Sequence, residues 1–216
     1  MSITDTAWQI FNQSIEDYHQ KDDVNTPINN SFQIDTLERI LYAKNWIDTV
    51  QWHLEDIIRD TNINPVEALQ IKRRIDSSNQ QRTDLVEFID GWFLNKYANV
   101  TPNTDAKINS ETPAWAFDRL SILALKIYHM SLEAYRESAS EEHRKNCLVK
   151  LNVLLEQKKD LCEAIDQLIF DIENGKVKMK IYKQMKMYND ESLNPILYQN
   201  VKNDQWNKGH ANEVKQ

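Results

Sequence analysis

The chain has 216 residues, a net charge of −7 from 33 acidic and 26 basic residues, and a mean hydropathy of −0.66. Its three glycines, Gly91, Gly175 and Gly209, cannot supply G-x-G-x-x-G or G-x-x-x-x-G-K-[ST], which excludes dinucleotide-binding and P-loop cradles and disfavours a large all-β fold with many tight turns. The acidic balance argues against general nucleic-acid binding, and no apolar run reaches the roughly 18 residues of a membrane span.

The N-terminus, Met1-Ser2-Ile3-Thr4-Asp5, lacks the basic start and apolar core of a secretory signal. Apolar residues then recur at three- and four-residue spacing, the helical period. This predicts a helix over about residues 3–20, a polar link over residues 21–30 and a second helix over about 33–60. Asn64-Pro65 reads as a cap followed by proline at the first helical position, opening a third helix to about residue 99 that Gly91 could interrupt. A loop over residues 99–112 leads to Thr112-Pro113, which repeats the cap-then-proline signal. The fourth helix, about 113–137, is apolar nearly all round and reads as central. Ser140 starts a fifth helix that stops at Asn174-Gly175. Cys147 and Cys162 both fall on it, roughly 22 Å apart, too far to bond. Together with the missing signal, two unpaired cysteines predict a cytoplasmic protein. Residues 176–188 carry five lysines and read as a short basic arm, extended or helical. The expected architecture is an all-α, single-domain bundle of five to six helices over residues 1–200, with a flexible tail over 201–216.

Polar residues on faces expected to be core are the informative feature. On the second helix His53, Asp56 and Asp60 share one face beside Trp46, Val50 and Ile57. On the third, Arg82 sits within the face of Ala68, Ile71, Ile75, Val86, Ile89 and Phe93, flanked by a stripe of Lys72, Asp76, Asn79, Thr83, Glu87 and Asp90. On the fourth, Asp118, Arg119, Lys126, His129 and Glu133 share about a third of the circumference. Buried unpaired charge costs several kcal/mol, so these groups must find each other, water or a ligand. Two readings are open. One is a buried salt-bridge network that fixes helix register; the other is a ligand pocket.

In the pocket reading Arg82, Arg119 and Lys126, with Lys72, Asp76, Asn79 and Asp118 beside them, would hold a small anionic ligand such as a sugar phosphate, nucleotide sugar or nucleotide. His53 and His129 would be acid–base groups oriented by Asp56, and Glu87 and Asp90 would hold a divalent metal such as magnesium. Glu87-x-x-Asp90 also matches half of the carboxylate pattern of all-helical nucleotide pyrophosphohydrolases, whose first Glu-x-x-Glu pair is replaced here by His53 and Asp56. The two Glu-x-x-His motifs of the di-iron bundles are not both present, and no local signature surrounds Ser77, Ser121 or either cysteine. Whether the chain is an enzyme is left open by these residues.

Four blocks carry a resemblance: residues 52–59 (WHLEDIIR), residues 72–90 (KRRIDSSNQQRTDLVEFID), Glu111-Thr-Pro113 with residues 118–130 (DRLSILALKIYHM), and residues 182–190 with 193–198. As a set they resemble the bacterial domain-of-unknown-function family 4254, of Bacteroidetes type. The resemblance spans about residues 35–200 and implies a single cytoplasmic helical domain. It implies no particular reaction. The family's association with glycosyltransferase genes implies a role in surface-polysaccharide or lipopolysaccharide assembly, including service as a non-catalytic partner or scaffold.

Overall fold

Helix signals in the sequence become real caps in the computed structural model, which describes residues 2–183, 190 and 192–199. Ser2 and Asp5 close a reciprocal capping box at the start of α1 (Ile3–His19). Thr36 accepts the Arg39 N–H and starts α2 (Leu37–Ile57) four residues later than periodicity predicts. Asp35 just before it holds a φ of 66°, a turn that bars helix from starting sooner. Asn64 and Pro65 open α3 (Pro65–Lys96), which runs unbroken through Gly91. Thr112 and Pro113 open α4 (Pro113–Tyr135), and Ser140 opens α5 (Glu141–Glu173).

The loop before α4 is not wholly irregular. It contains β1 (Lys107–Ile108), which pairs in parallel with β2 (Val177–Lys178), so the start of the basic arm is extended. Gly175 makes this return possible. Its φ is 69°, and a Cβ there would meet the Thr101 carbonyl oxygen at 2.9 Å.

The chain divides into two compact units, Met1–Ile181 and Tyr182–Gln216. The first holds all five long helices. α4 packs against each of the other four, as its all-round apolar sequence predicts. Phe11, Ile15 and Tyr18 from α1, Leu41 and Tyr42 from α2, and Val86, Ile89 and Phe93 from α3 meet Phe117, Leu120 and Leu125 of α4. Ile165, Ile169 and Ile172 of α5 close the other side. A smaller cluster of Ala134, Cys147 and Leu151 sits toward the turn between α4 and α5. In the second unit the Asp190 carboxylate accepts from the Ser192 N–H and hydroxyl ahead of a helical turn over 195–199. The tail expected over 201–216 lies outside the described residues.

Candidate functional site

The buried side of α2 mixes apolar with polar groups. Lys44, Asn45, Asp48, Thr49 and Gln51 are all buried, whereas Ile57, expected in the apolar stripe, is 38% exposed. Lys44 and Asp48 stand one turn apart and are fully enclosed, with Lys44 Nζ 2.5 Å from Asp48 Oδ2. Lys44 Nζ also reaches Asp118 Oδ1 of α4 at 2.7 Å. From α3, Arg82 donates through Nε to Asp48 Oδ1 at 2.5 Å and through Nη2 to Asp118 Oδ1 at 3.4 Å. Two cations and two carboxylates therefore alternate among three helices. The Ser121 hydroxyl donates to Asp48 Oδ2 at 2.6 Å, and Asn45 Nδ2 donates to that hydroxyl at 3.0 Å. Gln51 extends the network, donating to Asn79 and accepting from Ser78. Burial opposes the charge on Arg82, but the Asp48 and Asp118 carboxylates outweigh it and hold the guanidinium pKa above its ordinary value.

A cavity of about 360 Å³ opens over this network between α2, α3 and α4. Asp48, Gln51, Trp52, Asp56, Arg82 and Ile122 line it, together with the paired Glu55 and Arg59. The size lies at the lower end of small-ligand sites. Arg82 keeps 21% of its side chain exposed, while Asp48 behind it keeps none. On the other side of Ile122 a second hollow of about 590 Å³ is lined by Asp118, Arg119, Lys126 and, from α5, Gln157 and Asp160.

A different arrangement borders the first cavity. Trp52 stacks on His129 with ring centres 4.8 Å apart and planes within 6°. His129 meets His53 and His19, so α1, α2 and α4 each contribute one imidazole to a cluster. His53 Nε2 lies 3.2 Å from His19 Nε2. His19 Nδ1 donates to the Ile15 carbonyl at 2.7 Å, and Nε2 of the partly buried His129 has no hydrogen-bond partner. Burial and then the neighbouring His19 pull the His53 pKa below its ordinary value. Burial, followed by His53 and His19, brings His129 down to about 4. His53 and His129 are therefore neutral at pH 7.

The sequence-derived residues separate accordingly. Arg82, Asn79 and Asp118 join the ion network; His53 and His129 join the histidine cluster, with Asp56 Oδ2 3.9 Å from His53 Nδ1. Lys72 and Asp76 pair with each other in solvent on the free half of α3, away from the network. Arg119 pairs with Glu111 at the surface, and Lys126 is exposed at the second hollow. Asp90 is buried and receives the start of α4, accepting from the Thr112 hydroxyl at 2.9 Å. Burial raises its pKa, the Thr112 and Ala114 hydrogen bonds oppose this, and Glu87 adds a smaller upward push. Among the described residues, the histidine cluster is the group whose ligand atoms converge, and Glu87 and Asp90 are not in it.

Lys44, Asp48 and His19 escape sequence reasoning. The first two sit at i and i+4, the spacing of an ordinary surface pair, and only their burial distinguishes them. His19 ends α1, where a histidine also serves as a common last-turn cation.

The family model for a protein of unknown function (DUF4254) matches residues 38–181. This range contains the whole ion network and two of the three clustered histidines; His19 precedes it. No curated protein and no solved structure matches the chain.

Proposed function

We propose that this chain, which belongs to the DUF4254 family of proteins of unknown function, binds a small phosphorylated ligand in the cavity over Arg82. A sugar phosphate or nucleotide sugar is the class that fits. The observation that carries this reading is the state of Arg82. Its Nε donates to buried Asp48, its Nη2 to half-buried Asp118 and its Nη1 to Asn79, so the guanidinium is held in one orientation before any ligand arrives. The remaining N–H groups of the fork suit phosphate, and the cost of immobilising the side chain has already been met within the fold. Trp52 supplies a flat apolar wall for a sugar ring or base.

His53 and His129 adjoin the cavity through Asp56 and Trp52 without lining it, so the reading is of binding and assigns them no step on the ligand. The test is a thermal-shift and calorimetric panel of sugar phosphates, nucleotide sugars and nucleotides. A member of the panel should raise the melting temperature, and Arg82→Lys should lose that response. This variant keeps a cation beside Asp48 but removes the fork. A flat panel, or a response that Arg82→Lys leaves intact, overturns the reading.

A second reading is a non-catalytic partner for a glycosyltransferase. It is supported by Val149 and Val153, which stand exposed one turn apart on α5. Copurification of such an enzyme, lost in Val149→Lys, would favour it over the first.

A further inference from the structure

We infer that His19, His53 and His129 form a binding site for one divalent transition-metal ion of the zinc class. The site does not depend on the anionic ligand proposed for the neighbouring cavity. The first observation is convergence. Three helices far apart in sequence each deliver one imidazole, and one nitrogen from each lies within 4.8 Å of the others. The second is spacing. Zn–N bonds of about 2.0–2.1 Å at tetrahedral angles place ligand nitrogens roughly 3.3 Å apart. His19 Nε2 and His53 Nε2 are already 3.2 Å apart. Closing the other two edges takes a side-chain shift of His129 of up to roughly 1.5 Å on the same geometry.

The third observation concerns which lone pairs are available. The Nδ1 proton of His19 is committed to the Ile15 carbonyl, which leaves Nε2 as the lone-pair atom facing the cluster. The short contact between the two rings is then a hydrogen bond from His53 Nε2–H to His19 Nε2. An incoming cation replaces that proton, and His53 moves to its other neutral tautomer with Nδ1–H toward the Asp56 carboxylate 3.9 Å away. Proton count is conserved, because one neutral tautomer becomes another. His129 Nε2, buried and without a hydrogen-bond partner, is the third donor.

The surroundings complete the site. Tyr18 stacks on His53, Trp52 on His129, and Tyr128 lies against His19, forming an apolar shell that lowers the local dielectric. Asp22 Oδ1 lies 4.0 Å from His19 Nε2 and 3.9 Å from His53 Nε2, and the Asp22 side chain is 64% exposed. It is placed to be a fourth, oxygen ligand reached from solvent. Three imidazoles select zinc, cobalt, nickel or copper over magnesium and calcium, whose ligands are oxygens.

The full chain, stripped with a chelator, is titrated with Zn²⁺ by calorimetry and with Co²⁺ by visible absorption. Binding of one ion per chain, with the intense ligand-field bands of a tetrahedral cobalt centre, is expected. His53→Phe and His129→Phe keep the ring stacks and should each weaken Zn²⁺ by more than about a hundredfold, the upper end for loss of a mere outer-shell partner. Asp22→Asn should weaken it less. Arg82→Lys should leave it unchanged, which separates failure of this site from failure of the cavity reading. Absence of Zn²⁺ binding, or affinity unaltered in His129→Phe, overturns the inference. If the phenylalanine variants do not fold, histidine acylation of the wild-type chain decides. Protection of His19 and His53 by Zn²⁺ supports the site, and equal modification with and without Zn²⁺ overturns it.

Discussion

Two polar clusters lie on the same pair of helices, and they are built on opposite plans. Around Asp48 the charges are balanced: two cations, two carboxylates, a hydroxyl and an amide enclose one another at 2.5–3.4 Å. About three turns along α4 from Asp118, at His129, like meets like. Three imidazoles face each other, the nearest carboxylates stand 3.9–4.0 Å off, and a buried nitrogen has no partner. In the first arrangement the charges are balanced within the protein, and the remaining N–H groups of Arg82 are what it offers another molecule. The second becomes complete only when a cation arrives. Burial of polar groups does not by itself distinguish structure from function; the balance of donors, acceptors and charge does.

The largest effect that sharpens this contrast comes from Asp48→Ala. It leaves Lys44 and Arg82 with only Asp118 between them, and breaking a buried pair from one side costs about 3–5 kcal/mol. Urea unfolding should register that loss. A change below about 1 kcal/mol, the size expected of a solvent-exposed pair, would show the network to be dispensable. The histidine cluster should respond to ligand instead. Zn²⁺ at a hundred times its dissociation constant adds about 2.7 kcal/mol. For a chain of this size that is a melting-temperature rise of about 5–10 °C, absent in His129→Phe. No rise in the wild type would remove the distinction between the two clusters.

Asp90 tests the rule with a carboxylate that has hydrogen bonds but no cation. Its folded-state pKa is raised, so ionisation opposes folding, and stability is lost as pH rises through the carboxylate range. Asp90→Asn should therefore stabilise the protein at pH 7 and lose that advantage at low pH, as read by urea midpoints at both. A destabilised Asp90→Asn at pH 7 would mean that the charge itself is required at the start of α4. The smallest effects belong to the solvent pairs. Lys72→Ala and Arg119→Ala should each change stability by less than about 1 kcal/mol and leave Zn²⁺ affinity untouched.

Much of the candidate site was legible as residues but not as partners. His53, Arg82, Asp118 and His129 stand out because each interrupts or borders an apolar helical face. Lys72, Asp76 and Arg119 give the same signal on a helical wheel, yet they project into solvent. A wheel assigns a direction around one helix and says nothing of what lies opposite. The first two turns of α3 face mostly solvent: residues 65–72 are mostly exposed. Lys44 was hidden for the converse reason. Lysine is almost never fully buried without a partner, and its second partner, Asp118, lies 74 residues away in the chain.

The amino-acid sequence by itself determined the five helices and the caps that open them. Ser2, Thr36, Asn64, Thr112 and Ser140 cap locally, Pro65 and Pro113 suit first turns, and Gly175 supplies the positive φ that ends α5. These are short-range effects, decided within a few residues. The tertiary structure alone decided that α2 buries Lys44, Asn45 and Asp48 beside its apolar residues and that His19 reaches His53 and His129. Charge pairing and imidazole convergence depend on distances of a few ångströms between helices, and periodicity along a single helix does not contain them.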